Sequence, residues 1–299
     1  MKEKIKEEQM KDKNFFISAF IVLVLFILLQ TVKPDLYIHE RGLLLFLILF
    51  FGGILQFSTR HAIRGGDIFL RSIPGVKAVE EAVGRSTEMG KPVLYVPGIQ
   101  DMDQVETVAG VVILGHVSKM TARYETPLNV PVARSIVLKA AQEACKESYL
   151  MEGRSDIYNE DMVHYLTDDQ FAYAAGVNGI MKREKPAACL YMGKFYAESL
   201  LLAETGNSIG AIQIAGTASQ SQIPFFVTAC DYTLIGEEFF AASAYLSKKP
   251  ELLGIVKGQD IIKLVILTTI IAGTFMRILY DINLIDMSIL DFLTISKGS

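Results

Sequence analysis

Two loops in this chain carry residue types that can hold a ligand. Gly98-Ile99-Gln100-Asp101-Met102-Asp103 stands where an apolar run stops and a helical pattern starts. In open parallel sheets, ligands bind at that edge, beyond the carboxyl ends of the strands. Asp101 and Asp103 are oxygen donors of the kind that hold Mg²⁺. The plainer reading is that both belong to a helix N-terminus, where carboxylates cap and suit the macrodipole. Gly216-Thr217-Ala218-Ser219-Gln220-Ser221-Gln222 follows a second apolar run. Its small residues, hydroxyls and backbone N–H groups suit an anion or nucleotide cradle. It lacks the lysine of a P-loop and the spacing of a dinucleotide fingerprint, and a plain turn fits it better.

Arg134 and Asp231 extend the candidate set. Pro127–Leu150 aligns without gaps onto Pro224–Ser247, matching Val130 with Val227 and Ala144 with Ala241. Read as a weak internal repeat, this puts Arg134 and Asp231 at equivalent positions, each just past a strand. They would form an ion pair or line a shared crevice, with Asp231 also capping the helix after it. The ligand-binding candidates are therefore Gly98, Asp101, Asp103, Arg134, Gly216, Thr217, Ser219 and Asp231.

Several other chemistries find no support. Gly206-Asn207-Ser208-Ile209-Gly210 has the letters of a nucleophile elbow, but a helix precedes it and a strand follows, the reverse of the required order. His39, His61, His116 and His164 are scattered. Cys145, Cys189 and Cys230 are far apart and make no C-x-x-C pair, so neither a disulfide framework nor a zinc site is written. No cofactor, acid, base or nucleophile set stands out. A net charge of −4 argues against a nucleic-acid footprint.

The elements that must position these residues alternate between helix and strand. Helices are expected at 76–89 (opened by Pro74, closed by Gly90), 103–123, 135–152, 170–185, 195–205 and 232–247. Asp101 or Asp103 should cap the second, and Thr167-Asp168-Asp169-Gln170 is a capping-box pattern for the fourth. Strands are expected at 92–96, 127–132, 187–192, 211–215 and 224–229. The fold class is α/β, a mainly parallel sheet covered by helices on both faces.

This domain, 59–258, lies between apolar segments. Hydrophobic residues make up 51% of 299 and charged residues 21%, too apolar for disorder and high for an ordinary soluble protein. Phe15–Val32 is an apolar run of about 27 Å as a helix, near the hydrocarbon thickness. Its Lys-rich flank fits a signal peptide, but Lys33-Pro34-Asp35 offers no cleavage site. A second span at 42–58 follows a short connection, giving a membrane hairpin over residues 1–58, where Gly52-Gly53 permits close helix approach. A third span at 261–279 has Lys263 and Arg277 as snorkelling flanks; its rival is a buried core helix. An acidic apolar tail closes the 259–299 segment. Lys and Arg counts around these three transmembrane helices put the N-terminus and central domain in the cytosol and the C-terminus outside, in a multi-pass cell-membrane protein.

The blocks Ala82–Gly98, Gln170–Ala187, Tyr196–Thr217 and Pro224–Leu246 resemble an uncharacterised family of prokaryotic membrane-anchored proteins that carries a domain of unknown function. The resemblance implies membrane anchorage and transfers no catalytic residue. The functional expectation is a cytosolic binding or homo-oligomeric assembly module partnered by the bilayer. The alternative is a nucleotide- or small-ligand-binding enzyme or sensor using the loops at Gly98 and Gly216. Transport is the weakest class, because the spans carry few polar groups.

Overall fold

The structure, a computed structural model, describes residues 42–65 and 73–281. The span expected at 15–32 and the tail beyond residue 281 lie outside these residues. The chain divides after Ile54 into two compact units. The described part of the first is the N-terminal half of helix α1 (Gly42–Ile63). The second holds everything from Leu55 onward.

Its elements follow in order. They are α2 (Pro74–Met89), β1 (Val93–Gly98), α3 (Val105–Tyr124), β2 (Leu128–Val132), α4 (Ser135–Met151), β3 (Val163–Tyr165), α5 (Gln170–Glu184) and β4 (Ala188–Lys194). Then come α6 (Glu198–Ser208), β5 (Ile212–Thr217), α7 (Ile223–Ala229), β6 (Tyr232–Ile235), α8 (Glu237–Ser247) and α9 (Pro250–Asp281). Local chemistry explains several boundaries. Proline opens α2, and Gly90 closes it in the left-handed region, its N–H returning to the Ser86 and Thr87 carbonyls. Asp169 caps α5 by accepting the Ala172 N–H at 2.8 Å.

All six strands are parallel, in the order β3-β2-β1-β4-β5-β6. Every residue of β1 is buried, as a parallel sheet covered on both faces requires. Alternation divides the core. Val93 and Tyr95 of β1 with Ala188, Leu190 and Met192 of β4 face Val79, Ile113, Leu114, Ala141 and Phe239 from α2, α3, α4 and α8. Leu94, Val96, Cys189 and Tyr191 face Tyr173, Val177, Met181, Leu202 and Phe226 from α5, α6 and α7. The fold class is thus α/β with a six-stranded parallel sheet between two helical layers.

Three local expectations are corrected. Residues 224–229 form helix, not strand: Pro224 stands in the first turn of α7, where its missing N–H costs nothing, and Phe226 alone is buried there. Tyr232–Ile235 is the edge strand β6, parallel to β5, rather than the start of a helix. The alignment of 127–150 onto 224–247 therefore superposes a strand on a helix and marks no structural repeat. Strand β3, with three residues, is too short to carry a periodic signal.

Among the described residues, one helix is long and apolar enough to cross a membrane: Pro250–Ile278 of α9. None of its most apolar window is buried, so a core helix of the globule is excluded for it. The hydroxyls of Thr268, Thr269 and Thr274 donate to carbonyls one turn back, at 2.8–2.9 Å, and leave little unpaired polarity on this rod. A shorter apolar helical stretch covers Leu47–Ile63 in α1. The helix α9 runs unbroken through residue 258, because its first turns belong to the globule.

Gly254 and Gly258 make that attachment. A Cβ on Gly254 would overlap the Thr59 Cα, and one on Gly258 would lie 2.9 Å from Leu55 Cδ2. Ser58 and Ala62, also small and buried, complete the crossing from α1. This is small-x-x-x-small packing, in which missing side chains let two helix backbones approach. Among the described residues, a Cβ on Gly52 or Gly53 would meet nothing within 4 Å; the hairpin partner expected beside them, 15–32, lies outside those residues. Gly254→Val should therefore lower the unfolding free energy by about 1–3 kcal/mol through overpacking. Gly84→Ala, in α2 with nothing within 4 Å of its new methyl, should raise it by about 0.5–1 kcal/mol. Thermal unfolding of the purified variants, followed by circular dichroism, checks the opposite signs.

Candidate functional site

Parallel strands bring all six carboxyl ends to one edge of the sheet. Chain order reverses there between β1 and β4, which is where ligands sit in doubly wound sheets. Of the expected candidates, Gly98, Asp101, Asp103, Arg134, Gly216, Thr217 and Ser219 all fall on this edge or in the loops leaving it.

The reversal point itself is tightly closed. Gly98 has φ +84°, and a Cβ there would lie 2.6 Å from the Lys194 carbonyl oxygen. Gly193 meets Pro97 in the same way, and a Cβ on it would overlap the Pro97 carbonyl oxygen. The Ile99 N–H donates to the Lys194 carbonyl at 3.1 Å. Lys194 Nζ then reaches Gln104 Oε1 at 2.7 Å, and Arg134 Nε donates to the Ile99 carbonyl at 3.1 Å. These bonds strap the first loop down over the strand ends. Asp101 accepts the Met102 N–H at 2.8 Å, and exposed Asp103 accepts from the Gln104 amide at 3.1 Å. Neither caps α3, whose N-cap is Gln104 without a side-chain bond. Asp101, Asp103 and Glu106 repel a phosphate at a helix start that would otherwise attract one.

The second loop is packed in its first residues and open further on. A Cβ on Gly216 would lie 2.5 Å from the Phe239 ring, so this glycine serves core packing. Thr217 is buried, and its Oγ1 accepts the Ser219 N–H at 3.2 Å. Ser199 Oγ donates to Gln222 Oε1 at 2.7 Å, tying the loop to α6. Asp231 is elsewhere. It precedes β6 at the opposite edge, where its Oδ2 accepts the Gln213 N–H at 2.8 Å. The expected Arg134–Asp231 pair does not form, and Asp231 caps no helix, because α7 carries the chain back across the sheet.

A carboxylate that the motifs do not mark sits at the same edge. Glu198 is fully buried in the first turn of α6. It accepts from Gln170 Nε2 at 2.6 Å and from the Tyr196 N–H at 2.8 Å. Both partners are satisfied, so it clips the starts of α5 and α6 together. A Glu opening a helix directly after an apolar strand is its only signal in the letters.

Beyond the second loop lies a shallow, open hollow of about 430 Å³, called the cavity below. Ala218, Phe240 and Ile262 supply apolar wall, while Glu237, Gln259 and Lys263 supply polar rim. Lys263 is hydrogen-bonded to Glu237 and lies 4.0 Å from Asp260. Helix α8 starts at this edge and runs away from it; α9 returns along α8 and passes the edge at Lys263.

Burial governs His116 and the three thiols. Among the described residues, no group of three or more His, Cys, Asp or Glu is placed to hold a metal ion. Burial, then the Lys119, Lys248 and Arg123 charges, lowers the His116 pKa. Its Nε2 is buried without a hydrogen bond, 3.9 Å from Glu80. Burial pushes the thiols of Cys145, Cys189 and Cys230 each up to about 12. A thiol held protonated is a poor nucleophile. At about pH 8, a disulfide-exchange reagent should react with the folded protein roughly a hundredfold or more slower than with the chain in denaturant. The three thiols should become fully reactive only after unfolding, and fast labelling of any one in the native state would refute its assigned environment.

A family model described as a domain of unknown function, DUF6754, matches residues 32–288. Comparison with curated proteins and with solved structures found no match. The match takes in α1, the whole sheet and all of α9, so the two helices belong to the matched unit as much as the sheet does, and the chain belongs to the DUF6754 family.

Proposed function

We propose that this protein is a membrane-anchored α/β domain that binds a small ligand at the carboxyl edge of its sheet, close to the bilayer surface. One observation carries the reading. The helix α9 passes that edge at Lys263 and has no buried residue beyond Gly258 among those described, so its apolar rod projects from the side where the strand ends lie. A bilayer around the rod faces the strand-end loops and the cavity beside them. Spans at 15–32 and 42–58 join α9 in this reading, with the N-terminus and globule cytosolic and the C-terminus outside, as the Lys and Arg distribution favours.

A second reading has its own observation. Leu200 and Leu201 on α6 and Phe225 and Val227 on α7 are exposed on two helices that pack side by side. An apolar patch of this kind suits self-association, as an assembly module requires.

Protease digestion of oriented vesicles tests the membrane placement in the first reading. The globule should be cut in inside-out vesicles and protected in right-side-out ones; protection in the reverse pattern, or release of the protein by alkaline carbonate, would refute it. Light scattering of the detergent-solubilised chain tests the second. Leu201→Glu should lower the apparent mass of an oligomeric form to that of the monomer, and a concentration-independent monomer in the unaltered chain would discard assembly.

A further inference from the structure

We propose that the cavity between the β5 and β6 ends and α9 is a phospholipid site, taking one zwitterionic lipid from the adjoining leaflet. The inference deepens the preceding reading and rests on its placement of the bilayer.

The cavity's position is the first argument. Lys263 stands at a step in composition along α9: Gln259 and Asp260 precede it, and an apolar stretch, Leu264–Leu267, follows. A lysine at such a step marks the headgroup level, stem in the apolar region and ammonium at the polar boundary. Lys263 also lines the cavity. The mouth therefore opens at the depth where a headgroup meets its acyl chains.

The cavity's chemistry is the second. The cavity is an open hollow rather than an enclosed pocket, and its apolar floor at Ala218, Phe240 and Ile262 suits a hydrocarbon chain lying along the surface. The rim carries both signs close together, Lys263 against Glu237 with Asp260 beside them. Phosphate suits Lys263, and an ammonium suits the two carboxylates. One cation against two anions leaves the rim net negative, which disfavours a lipid whose headgroup carries only negative charge. A zwitterionic phospholipid meets both conditions.

The chain contains no tryptophan, so Phe240→Trp places a sole indole, excited apart from the tyrosines, in the cavity wall. The full-length variant is placed in nanodiscs with brominated-chain phosphatidylethanolamine or phosphatidylglycerol added in increasing mole fraction. Expected is quenching of the introduced indole that saturates at low mole fraction for the ethanolamine lipid alone. Glu237→Gln or Lys263→Met should raise the mole fraction needed by about tenfold, the loss of one charge-assisted hydrogen bond. A Tyr124→Trp emitter at the opposite sheet edge should stay unquenched. Quenching that rises linearly and equally for both lipids reports bulk bilayer only and overturns the proposal. Absent quenching, as when part of the chain itself fills the cavity, overturns it too. Should Phe240→Trp fail to fold, native mass spectrometry of the unaltered protein released from mixed nanodiscs decides: a retained ethanolamine lipid supports the site, and none retained, or no headgroup preference, overturns it. Failure to float with vesicles would instead remove the membrane placement underneath.

Discussion

The pairing of β1 with β4 is the constraint on which the rest depends. These are the central strands, buried on both faces, and every backbone N–H and C=O in them must find a partner away from water. Parallel neighbours supply the partners, and parallel neighbours demand long crossovers. Each crossover is a helix, so the sheet acquires its two covering layers as a consequence of its own hydrogen bonding. The reversal of strand order between β1 and β4 then sends α3 to one layer and α6 to the other. In many doubly wound folds the loops part at that point and leave a crevice. Here Gly98 and Gly193 bring the two backbones into contact instead, and Lys194 and Arg134 hold the loop closed. The open volume on this edge is displaced to the β5 and β6 side.

That displacement gives α9 its importance. In a doubly wound sheet standing alone, the last strand would end at solvent. Here α8 and α9 fold back so that α9 forms one wall of the cavity before leaving the globule. The ion pair between Lys263 and Glu237 ties wall to rim. Exposed, such a pair adds little stability; its contribution is to keep two opposite charges at one place on the surface.

Much of the layering was legible from the letters. Pro74 and Gly90 mark the ends of α2, Thr167 to Gln170 the start of α5, and continuous apolar runs the buried strands. The candidate loops at Gly98 and Gly216 were legible too, because each sits where an apolar run stops. What escaped was the geometry that depends on distant partners. The run at 223–229 is short, apolar and aromatic, and only its place between two parallel strands makes it a helix. Asp231 looked equivalent to Arg134 for the same reason. The Gly254-x-x-x-Gly258 spacing is plain in the letters, yet an apolar window starting at residue 261 leaves it out. Glu198 carries no motif at all; its burial follows from how α5 and α6 meet.

The continuity of α9 has a mechanical meaning. A helix of 32 residues is a stiff rod of about 48 Å, and no glycine pair, proline or loop interrupts it between the globule and its far end. Its first turns are riveted to α1 by contacts too close for a swivel. The globule is therefore mounted like a flag on a pole rather than a kite on a string: any lean of the pole must turn the flag with it, and a torque applied at either end is felt at the other.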